Sequence, residues 1–475
     1  IQFAIHPTEQ TYYVIEVNPR VSRSSALASK ATGYPIAKLA TRLALGERLD
    51  DCINPVTKET MASFEPVLDY VTAKVPCFPF DLFPGSDRSL GTQMKATGES
   101  MAMGKTLEEA LQKAWRGAGI EQAPLYPNWM KQADTEVLWQ EVNQITDRRL
   151  LAMLALLDRK AATHEELAEK TQIQSLFLTT LETLILMQES LDLESKESLQ
   201  QAKRFGFTDQ QIAQITDVPL EVVQQQRNTF LIQPSFQMID TCGAEFSSLT
   251  PYFYGSWSGR TEVTPSSRKK VAVLGAGPIR IGQGIEFDYC SVHAVRALQK
   301  AGYETIMINN NPETVSTDFE VADRLYVEPL TIEDVVHVLE AEQCQQVLVQ
   351  FGGQTAITLA AELEQLGYQL LGTTADTIDE MEDRDRFYQF LDRLQIDRIP
   401  GQEVSNEEEL TAIVKELGYP LMIRPSYVIG GKGMHRLTTA TDLEKLLPEM
   451  AFPILVDAYI EGHEFEVDCI SDKTT

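Results

Sequence analysis

The sequence contains no run of about 18 consecutive apolar residues, the length that a membrane-spanning helix needs. Its six cysteines are dispersed without a CxxC pair, and its six histidines form neither HExxH nor HxxxH. These absences argue against a membrane protein, a disulfide-rich secreted protein and a zinc site. The N-terminal residues show no basic, apolar leader, so we expect a cytoplasmic protein with free thiols.

Positive charge is also scarce. The chain has 69 Asp and Glu residues against 41 Lys and Arg, which gives a formal net charge of -28. Non-specific nucleic-acid binding requires a basic surface that displaces counterions, so no nucleic-acid partner is expected. A few local arginines and helix N-termini can still hold a phosphate group on such a protein.

The composition and the predicted secondary structure of the 475 residues change three times along the chain. Residues 1–118 combine predicted short strands with helices. Residues 119–262 are rich in Gln and Leu, and their pattern predicts an almost wholly helical structure. They contain no motif that indicates a chemical function. Apolar strands alternate with helices over 263–376, as in a parallel doubly wound sheet. Residues 377–475 continue as α+β. The first residue adjoins a strand and a strand over 464–470 precedes the last, so we expect both ends to be cut.

The first candidate site is a predicted hairpin that joins the apolar runs 2–5 and 12–17. Glu16 and Asn18 are two residues apart, so they project from the same face. A symmetric turn places Gln2 opposite Glu16 on the neighbouring strand.

A carboxylate and two amide oxygens on one patch suit Mg²⁺, particularly where substrate phosphates complete the coordination shell. Arg20 and Arg23 follow directly and would hold an anion beside the metal. The alternative is a polar strand end that leads into a turn.

The second candidate is a glycine loop over 275–284, between a strand and a helix. Its third glycine comes two residues later than in the dinucleotide fingerprint, and Pro278 intervenes. The next strand ends in Asn309 instead of an acidic residue, so we do not expect NAD or FAD. Residues 310–318 and 351–355 also follow strands, at the edge where such sheets bind ligands; simple tight turns are the alternative.

The third candidate begins with Arg424 on a strand, followed by the glycine-rich 429–433 with Lys432. Glycines let a backbone close onto phosphate oxygens, and the basic side chains supply charge. A later apolar strand, 454–460, is followed by Glu464. This order predicts an adenine slot in which the backbone contacts the base and the carboxylate contacts the ribose. Ordinary strands and turns would explain either piece alone.

These motifs resemble those of the carbamoyl-phosphate synthetase large-subunit family. The segments that resemble its second half are 275–290, 311–319, 351–355, 381–387 and 423–431. Residues 16–33 resemble the end of its first half, and 240–246 resemble the close of its central helical domain. The resemblance extends over essentially the whole chain, in the family's order.

The resemblance implies an α/β fold made of ATP-grasp pieces and a Rossmann-like parallel-sheet pre-ATP-grasp domain, separated by an all-helical oligomerisation domain. Residues 1–118 would close the first ATP-grasp half, and 119–262 would be the oligomerisation domain. Residues 263–376 would form the pre-ATP-grasp domain of the second half, and 377–475 the truncated start of its ATP-grasp domain.

The resemblance also implies glutamine-hydrolysing carbamoyl-phosphate synthesis for arginine and pyrimidine biosynthesis. One ATP phosphorylates bicarbonate, ammonia converts the carboxyphosphate to carbamate, and a second ATP phosphorylates carbamate. Ammonia would come from a glutaminase small subunit, and the helical domain would form a homo-oligomer. The cofactors would be ATP and Mg²⁺ or Mn²⁺, with K⁺ as a further candidate. Because each half is incomplete here, we expect the chain alone to make no carbamoyl phosphate.

Residue roles follow from matching positions. In the first half, metal and nucleotide phosphate would be bound by Gln2, Glu16 and Asn18, and Arg20 would border the phosphoryl site. In the second half, phosphates would be contacted by Arg384 and Arg424. Adenine would be contacted by Ala458 and Ile460, and ribose would be bound by Glu464. The Lys432-Gly433 pair departs from the Arg-Ala that the family's second half leads us to expect.

Two other functions remain open. Another ATP-grasp carboxylase, such as a biotin carboxylase, has one ATP-grasp unit, so metal-binding strands should not precede a fresh Rossmann-like start. A non-catalytic oligomerisation module would bind no nucleotide. The sequence shows no Ser–His–Asp or Cys–His arrangement, and phosphoryl transfer needs none because it depends on positioning and charge neutralisation.

Overall fold

The computed structural model describes residues 1–6, 9, 11–83, 85–243, 245–246, 248–425, 434–450, 452–463 and 465–471. The chain divides into two compact units, Ile1–Gly372 and Thr373–Thr475. Within the described ranges, no helix is both long and apolar enough to cross a bilayer.

The described residues form fifteen strands and nineteen α-helices. The strands are β1 Gln2–Ile5, β2 Tyr12–Glu16, β3 Val71–Cys77, β4 Gly98–Gly104, β5 Ser235–Met238, β6 Tyr252–Ser256, β7 Lys270–Leu274, β8 Glu304–Ile308, β9 Arg324–Tyr326, β10 Gln346–Leu348, β11 Gln369–Leu370, β12 Gly401–Val404, β13 Leu421–Pro425, β14 His435–Leu437 and β15 Ile454–Ala458. The helices of the first unit are α1 Arg23–Thr32, α2 Ile36–Ala44, α3 Leu107–Gly117, α4 Asn128–Gln132, α5 Thr135–Asn143, α6 Arg149–Asp158, α7 His164–Thr171, α8 Ser175–Ser190, α9 Lys196–Arg204, α10 Asp209–Thr216, α11 Leu220–Thr229, α12 Glu286–Lys300, α13 Ile332–Glu342, α14 Gly353–Ile357 and α15 Ala360–Gln365. Those of the second unit are α16 Ala375–Glu382, α17 Arg384–Arg393, α18 Glu407–Leu417 and α19 Ala440–Leu446.

A seven-stranded sheet in the order β11-β10-β7-β8-β9-β6-β5 organises the first unit. Neighbouring strands are parallel except for the antiparallel pair β5–β6 at one edge. The apolar runs at β7 and β8 are buried along their whole length, as expected for strands covered on both faces. The parallel sheet predicted for 263–376 is therefore present.

The helical prediction for 119–262 requires a correction. Helices α4 to α11, which we call the helical block, confirm it between residues 128 and 229. Beyond them, β5 and β6 leave the helical block and extend the sheet. Both strands are short and contain Ser, Gln or Gly, so their local pattern is weak. Burial between the sheet and its neighbours outweighs that weak local preference.

The helical block surrounds its own apolar core, in which Met153, Leu154 and Leu181 are fully buried. Side-chain caps begin several of its helices. Thr163 and Thr208 each accept a hydrogen bond from the N3 backbone and form a capping box. The amphipathic helices thus pack as a block that precedes the β5–β6 edge of the sheet.

A buried ionic cluster joins α3, the helical block and α13. Nζ of Lys113 lies 2.7 Å from the Glu328 carboxylate, and both side chains are only 4% exposed. Arg116 donates two hydrogen bonds to Asp334. Lys203 pairs with Glu333 at 2.7 Å, and with an aspartate of α10 that also binds an arginine of α11. Each charge is compensated, as burial requires.

Burial shifts the pKa values of this cluster in opposite directions. Removal from water raises the pKa of Glu328 to about 7, against the attraction of Lys113. Burial also opposes ionisation of Asp334, but its contact with Arg116 prevails and lowers the pKa to about 2. His337, which packs edge-on against Trp257, has its pKa lowered to about 3, chiefly by burial.

The second unit contains an antiparallel sheet in the order β12-β15-β13-β14. Leu410 and Ile413 of α18 pack with buried residues of β13 and β15, including Ile423 and Val456. The strand predicted over 464–470 is not formed by the described residues 465–470. Those residues are exposed, so they lack the packing that stabilises a strand.

Candidate functional site

The N-terminal hairpin, defined here as β1, β2 and the residues up to Asn18, brings the predicted metal ligands together. Gln2 lies directly opposite Glu16 in the antiparallel register. Nδ2 of Asn18 donates a hydrogen bond to Oε1 of Glu16 at 3.1 Å. All described residues of both strands are exposed, so the polar side chains are open to a ligand.

The chemistry of these side chains fits a hard divalent cation better than a transition metal. Glu16 supplies a carboxylate, while Gln2 and Asn18 supply amide oxygens, which are the donors Mg²⁺ accepts alongside phosphate oxygens. No cluster of three or more His, Cys, Asp or Glu with metal-binding geometry occurs in the part of the chain that the structure describes. A metal held here would therefore depend on nucleotide phosphates for most of its remaining ligands.

The two arginines that follow the hairpin differ in their contacts. Arg20 is exposed, and among the described residues its Nη1 donates a single long bond of 3.3 Å, to the carbonyl of Val21. Arg23 begins α1 and pairs through Nε with Glu313 at 3.2 Å. Arg20 thus remains available to an anion, whereas Arg23 is partly neutralised.

The asparagine loop, residues 309–318, packs against the glycine loop. Oδ1 of Asn309 accepts hydrogen bonds from the N–H groups of Gly277 and Asn310, at 3.0 and 2.9 Å. Asn311 donates to the carbonyl of Gly277 at 3.1 Å. A Cβ on Gly275 would lie 2.4 Å from Cγ of Asn309, so glycine is needed here for close packing. These asparagines hold one loop against another.

Two charged side chains hold the rest of the asparagine loop. The Asp288 carboxylate accepts hydrogen bonds from the backbone N–H of Val315 at 2.9 Å and of Ser316 at 3.2 Å. Lys30 of α1 donates to the carbonyl of Thr314 at 2.5 Å. Burial lowers the pKa of Lys30, and Asp318 opposes this by favouring the charged form. Most polar groups of the motif are thus used within the fold, although Oδ1 of Asn310 is buried without a hydrogen-bond partner among the described residues. The contacts that are made favour the structural alternative.

In the second unit, Arg424 of β13 is held by a buried carboxylate. Its Nη2 donates to Oδ2 of Asp457 on β15 at 2.8 Å, and the Asp457 side chain is 4% exposed. Oη of Tyr388 donates to the other carboxylate oxygen at 2.8 Å. Burial and this bond both raise the pKa of Tyr388. Among the described residues, Nε of Arg424 is buried without a hydrogen-bond partner.

The remaining predicted residues of the second unit lie apart from this network. Arg384 is the first residue of α17 and is half-buried. The N–H of Ala458, at the end of β15, already donates to the carbonyl of Pro400 at 2.9 Å. Ala458 would therefore have to contact an adenine base through its other backbone atoms. Ile460 is exposed. Glu464 and the glycine-rich 429–433, with Lys432, lie outside the described residues.

Sequence reasoning missed Asp457 and Tyr388, which orient Arg424. One signal was present: an aspartate interrupts the apolar strand 454–460, and a buried carboxylate requires a cationic or hydrogen-bonding partner. Which partner it meets depends on the pairing of β13 with β15, where Met422 lies opposite Asp457 and Arg424 is displaced by two residues.

Three family models match the chain in consecutive pieces. The carbamoyl-phosphate synthase L chain ATP-binding domain matches residues 1–52 and 383–475. The carbamoyl-phosphate synthetase large-chain oligomerisation domain matches 99–230, and the carbamoyl phosphate synthase preATP-grasp domain matches 267–380. The chain belongs to the carbamoyl-phosphate synthetase large-chain family. The predicted fold class, with a helical oligomerisation domain between ATP-grasp pieces, is confirmed.

Curated members of the family are similar along the whole chain. An arginine-specific carbamoyl phosphate synthase large chain from Geobacillus stearothermophilus is 52% identical over 483 residues, which cover 100% of this chain and 46% of that protein. The arginine-specific large chain of Bacillus subtilis (strain 168) is 49% identical, covering 99% of this chain and 47% of that protein. The chain therefore spans about half the length of the curated relatives it matches.

Solved structures are more distant. The biotin carboxylase domain of Hydrogenobacter thermophilus 2-oxoglutarate carboxylase is 22% identical, with a TM-score of 0.33 over 41% of this chain and 45% of that one. At this TM-score nothing further about the present chain follows from the likeness.

Proposed function

We propose that the chain is a segment of the large subunit of glutamine-hydrolysing carbamoyl-phosphate synthase. In this function ATP phosphorylates bicarbonate and then carbamate, giving carbamoyl phosphate. The observation that carries the proposal is the order of the family matches: ATP-binding piece, oligomerisation domain, pre-ATP-grasp domain, ATP-binding piece. The product would serve arginine biosynthesis, which the names of the relatives support, and also pyrimidine biosynthesis.

The two ATP-binding pieces would belong to two different active sites. In the first, Gln2, Glu16 and Asn18 would bind Mg²⁺ or Mn²⁺ and nucleotide phosphate, and Arg20 would contact the transferred phosphoryl group. The exposure of these side chains and the pairing of Gln2 with Glu16 support this assignment. K⁺ is a further candidate ion.

In the second site, Arg384 and Arg424 would bind phosphates, Ala458 and Ile460 would contact adenine, and Glu464 would bind ribose. The fixed orientation of Arg424 supports its part in this assignment. Asp457 occupies one side of the guanidinium, and the Nε donor, which has no partner among the described residues, would gain an acceptor from a phosphate oxygen.

The remaining parts of the proposal concern organisation. The domain boundaries would be 1–118, 119–262, 263–376 and 377–475. A glutaminase small subunit would supply ammonia, the helical domain would mediate homo-oligomerisation, and the protein would be cytoplasmic. The match to the family's oligomerisation domain supports the homo-oligomer.

Binding of Mg·ATP to the purified chain tests the nucleotide assignment through the melting temperature. We expect Mg·ATP to raise the melting temperature, because a ligand that binds only the folded state stabilises it. Arg424→Ala should remove the part of the rise that arises at the second site, and Arg424→Lys should keep some of that part. Arg393→Ala, which changes an exposed arginine of α17, is the matched control and should keep all of it.

No rise with the unmodified chain, or an equal rise with Arg424→Ala, would contradict the assignment. The first result would favour the non-catalytic oligomerisation module, which binds no nucleotide.

A further inference from the structure

Helices α7 and α8 of the helical block bring together a serine, a histidine and a glutamate that the proposed synthase chemistry does not use. Nε2 of His164 lies 2.8 Å from Oγ of Ser175. Nδ1 of the same imidazole lies 2.9 Å from the Glu182 carboxylate. The nucleophile–base–acid order of these contacts is that of a hydrolytic triad, which is recognised by geometry and not by sequence position.

The identity of each group fixes the direction of the protons. An ionised carboxylate only accepts hydrogen bonds, so Nδ1 of His164 must be the donor to Glu182. In the neutral imidazole Nε2 is then unprotonated and accepts the hydroxyl hydrogen of Ser175. The serine hydroxyl is therefore directed at a base that can take its proton.

The arrangement is positioned by regular structure. Ser175 and Glu182 are seven residues apart on α8, so they lie on the same face two turns apart. His164 is the first residue of α7, whose start is fixed by the Thr163 capping box. Buried leucines of both helices, Leu167 and Leu178 among them, belong to one core cluster that keeps α7 and α8 packed.

Backbone donors and apolar surface lie beside the serine. Ser175 begins α8, and the first N–H groups of a helix lack i−4 acceptors; here that of Phe177 donates to the carbonyl of Gln174 at 3.1 Å, which leaves those of Ser175 and Leu176 for a ligand. Gln174 provides no side-chain cap for them. Leu176 is 62% exposed and Phe177 is 43% exposed, although both are large apolar side chains. The N–H groups suit a carbonyl oxygen that gains negative charge, and the apolar side chains suit an acyl chain.

From this geometry we propose that the helical block carries an ester-hydrolysing site, with Ser175 as nucleophile, His164 as general base and Glu182 as the group that orients the imidazole. Oγ of Ser175 bonds to the ester carbonyl carbon, its proton passes to Nε2 of His164, and the carbonyl electron pair moves to oxygen. Collapse expels the alcohol, which takes that proton. Water then repeats the steps on the acyl-serine and releases the carboxylic acid.

The sequence predicts no Ser–His–Asp or Cys–His arrangement, whereas the structure brings a serine, a histidine and a glutamate together. The residues lie at sequence separations of 11 and 18 from His164, which match no familiar spacing. Only the packing of α7 on α8 brings them within hydrogen-bond distance.

A fluorophosphonate probe and p-nitrophenyl butyrate test the proposal on the full chain. We expect the probe to label Ser175, identified by peptide mass, and the ester to be hydrolysed. Ser175→Ala should remove both signals, and His164→Gln should lower the labelling rate by about 100-fold, which is typical of a lost general base. Glu182→Gln should cause a smaller loss.

Ser190→Ala is the matched control, because Ser190 is an exposed serine of the same helix whose hydroxyl donates to a backbone carbonyl. It should label and hydrolyse like the unmodified chain. Circular dichroism of each variant separates loss of the site from loss of the fold. Labelling of Ser175 no faster than in heat-unfolded chain, or equal labelling of Ser190, would overturn the proposal and leave the contacts as hydrogen bonds between two helices.

Discussion

The N-terminal hairpin and the asparagine loop are both polar motifs at the ends of strands, and both were candidates for ligand binding. In the loop, Asn309 and Asn311 direct their amide groups at the neighbouring glycine loop. In the hairpin, Gln2 and Glu16 face each other on an exposed strand pair. The comparison teaches that two similar strand-end motifs can differ in exposure: the loop buries most of its polar groups in contacts with the fold, whereas the hairpin presents its polar groups to solvent.

Replacing Asn309 with Ala gives the largest expected effect. The change leaves the buried N–H groups of Gly277 and Asn310 unpaired and removes a 3.0 Å bond to Ser316. We expect the free energy of unfolding to fall by about 3 kcal/mol, measured by urea denaturation. Asn18→Ala, on the exposed hairpin, should change it by less than about 0.5 kcal/mol. Equal effects at the two positions would remove the distinction between the motifs.

Gly275→Ala tests the same loop from its other side. The added Cβ would lie 2.4 Å from Cγ of Asn309, a side chain that its own hydrogen bonds hold in place. We expect a loss of about 2 kcal/mol in unfolding free energy, as for other overpacked sites. Gly91→Ala is the control, because its Cβ would meet no atom within 4 Å. Similar urea midpoints for the two variants would show that the loops can separate without cost.

His337 extends the comparison to the ionic cluster, another buried polar set with internal partners. Its pKa in the folded chain is about 3, below the usual 6.5 of the unfolded chain, so acid favours unfolding as pH falls below 6.5. Glu328 changes the stability with pH in the opposite direction. Its pKa of about 7 in the folded chain exceeds its unfolded value, so its contribution to folding stability is present below about pH 4.5 and is lost as pH rises through 7.

His337→Phe should therefore isolate the histidine. Relative to the unmodified chain, the stability of this variant should improve by at most about 1.4 kcal/mol per pH unit as pH falls from 6.5 to 4.5. Urea denaturation at three pH values in that window measures the difference. A difference that stays constant with pH would mean that His337 accepts a proton in the folded chain.

Glu16→Gln gives the smallest expected change in stability, within about 0.5 kcal/mol, because Glu16 is exposed. Its effect should fall on metal binding instead. The variant should lose the Mg²⁺-dependent part of any ATP-induced rise in melting temperature. Glu9→Gln removes another exposed carboxylate of the hairpin and should keep it. Loss in both variants would indicate a general charge effect.

The sequence predicted those elements whose local pattern agrees with their burial. The continuous apolar runs at β7 and β8 and the amphipathic helices between residues 128 and 229 are of this kind. The three-residue β9, the edge strand β5 and its neighbour β6 were missed, because short strands acquire their stability from the neighbours with which they pair.

The candidate site was predictable only where its residues share one element. Glu16 and Asn18 are close in sequence, so their proximity was predictable. Gln2 lies opposite Glu16 as predicted, but only because the strand register shifts by one residue between Gln2 and Phe3, which the sequence did not indicate. The contact of Arg424 with Asp457 depends on the pairing of β13 and β15, and that of Asp288 with the asparagine loop on the packing of α12. No local pattern encodes these distances.

The ionic cluster bears on how members of this family can be recombined. Lys203 lies in the helical block, whereas its carboxylate partner Glu333 lies on α13. Exchanging the block for one that lacks a cation at this position would leave a carboxylate buried without its cation, a change that typically costs about 3–5 kcal/mol. A chimera that exchanges the block between relatives should therefore carry α3 and α13 with it, and its crossover points should lie outside the cluster.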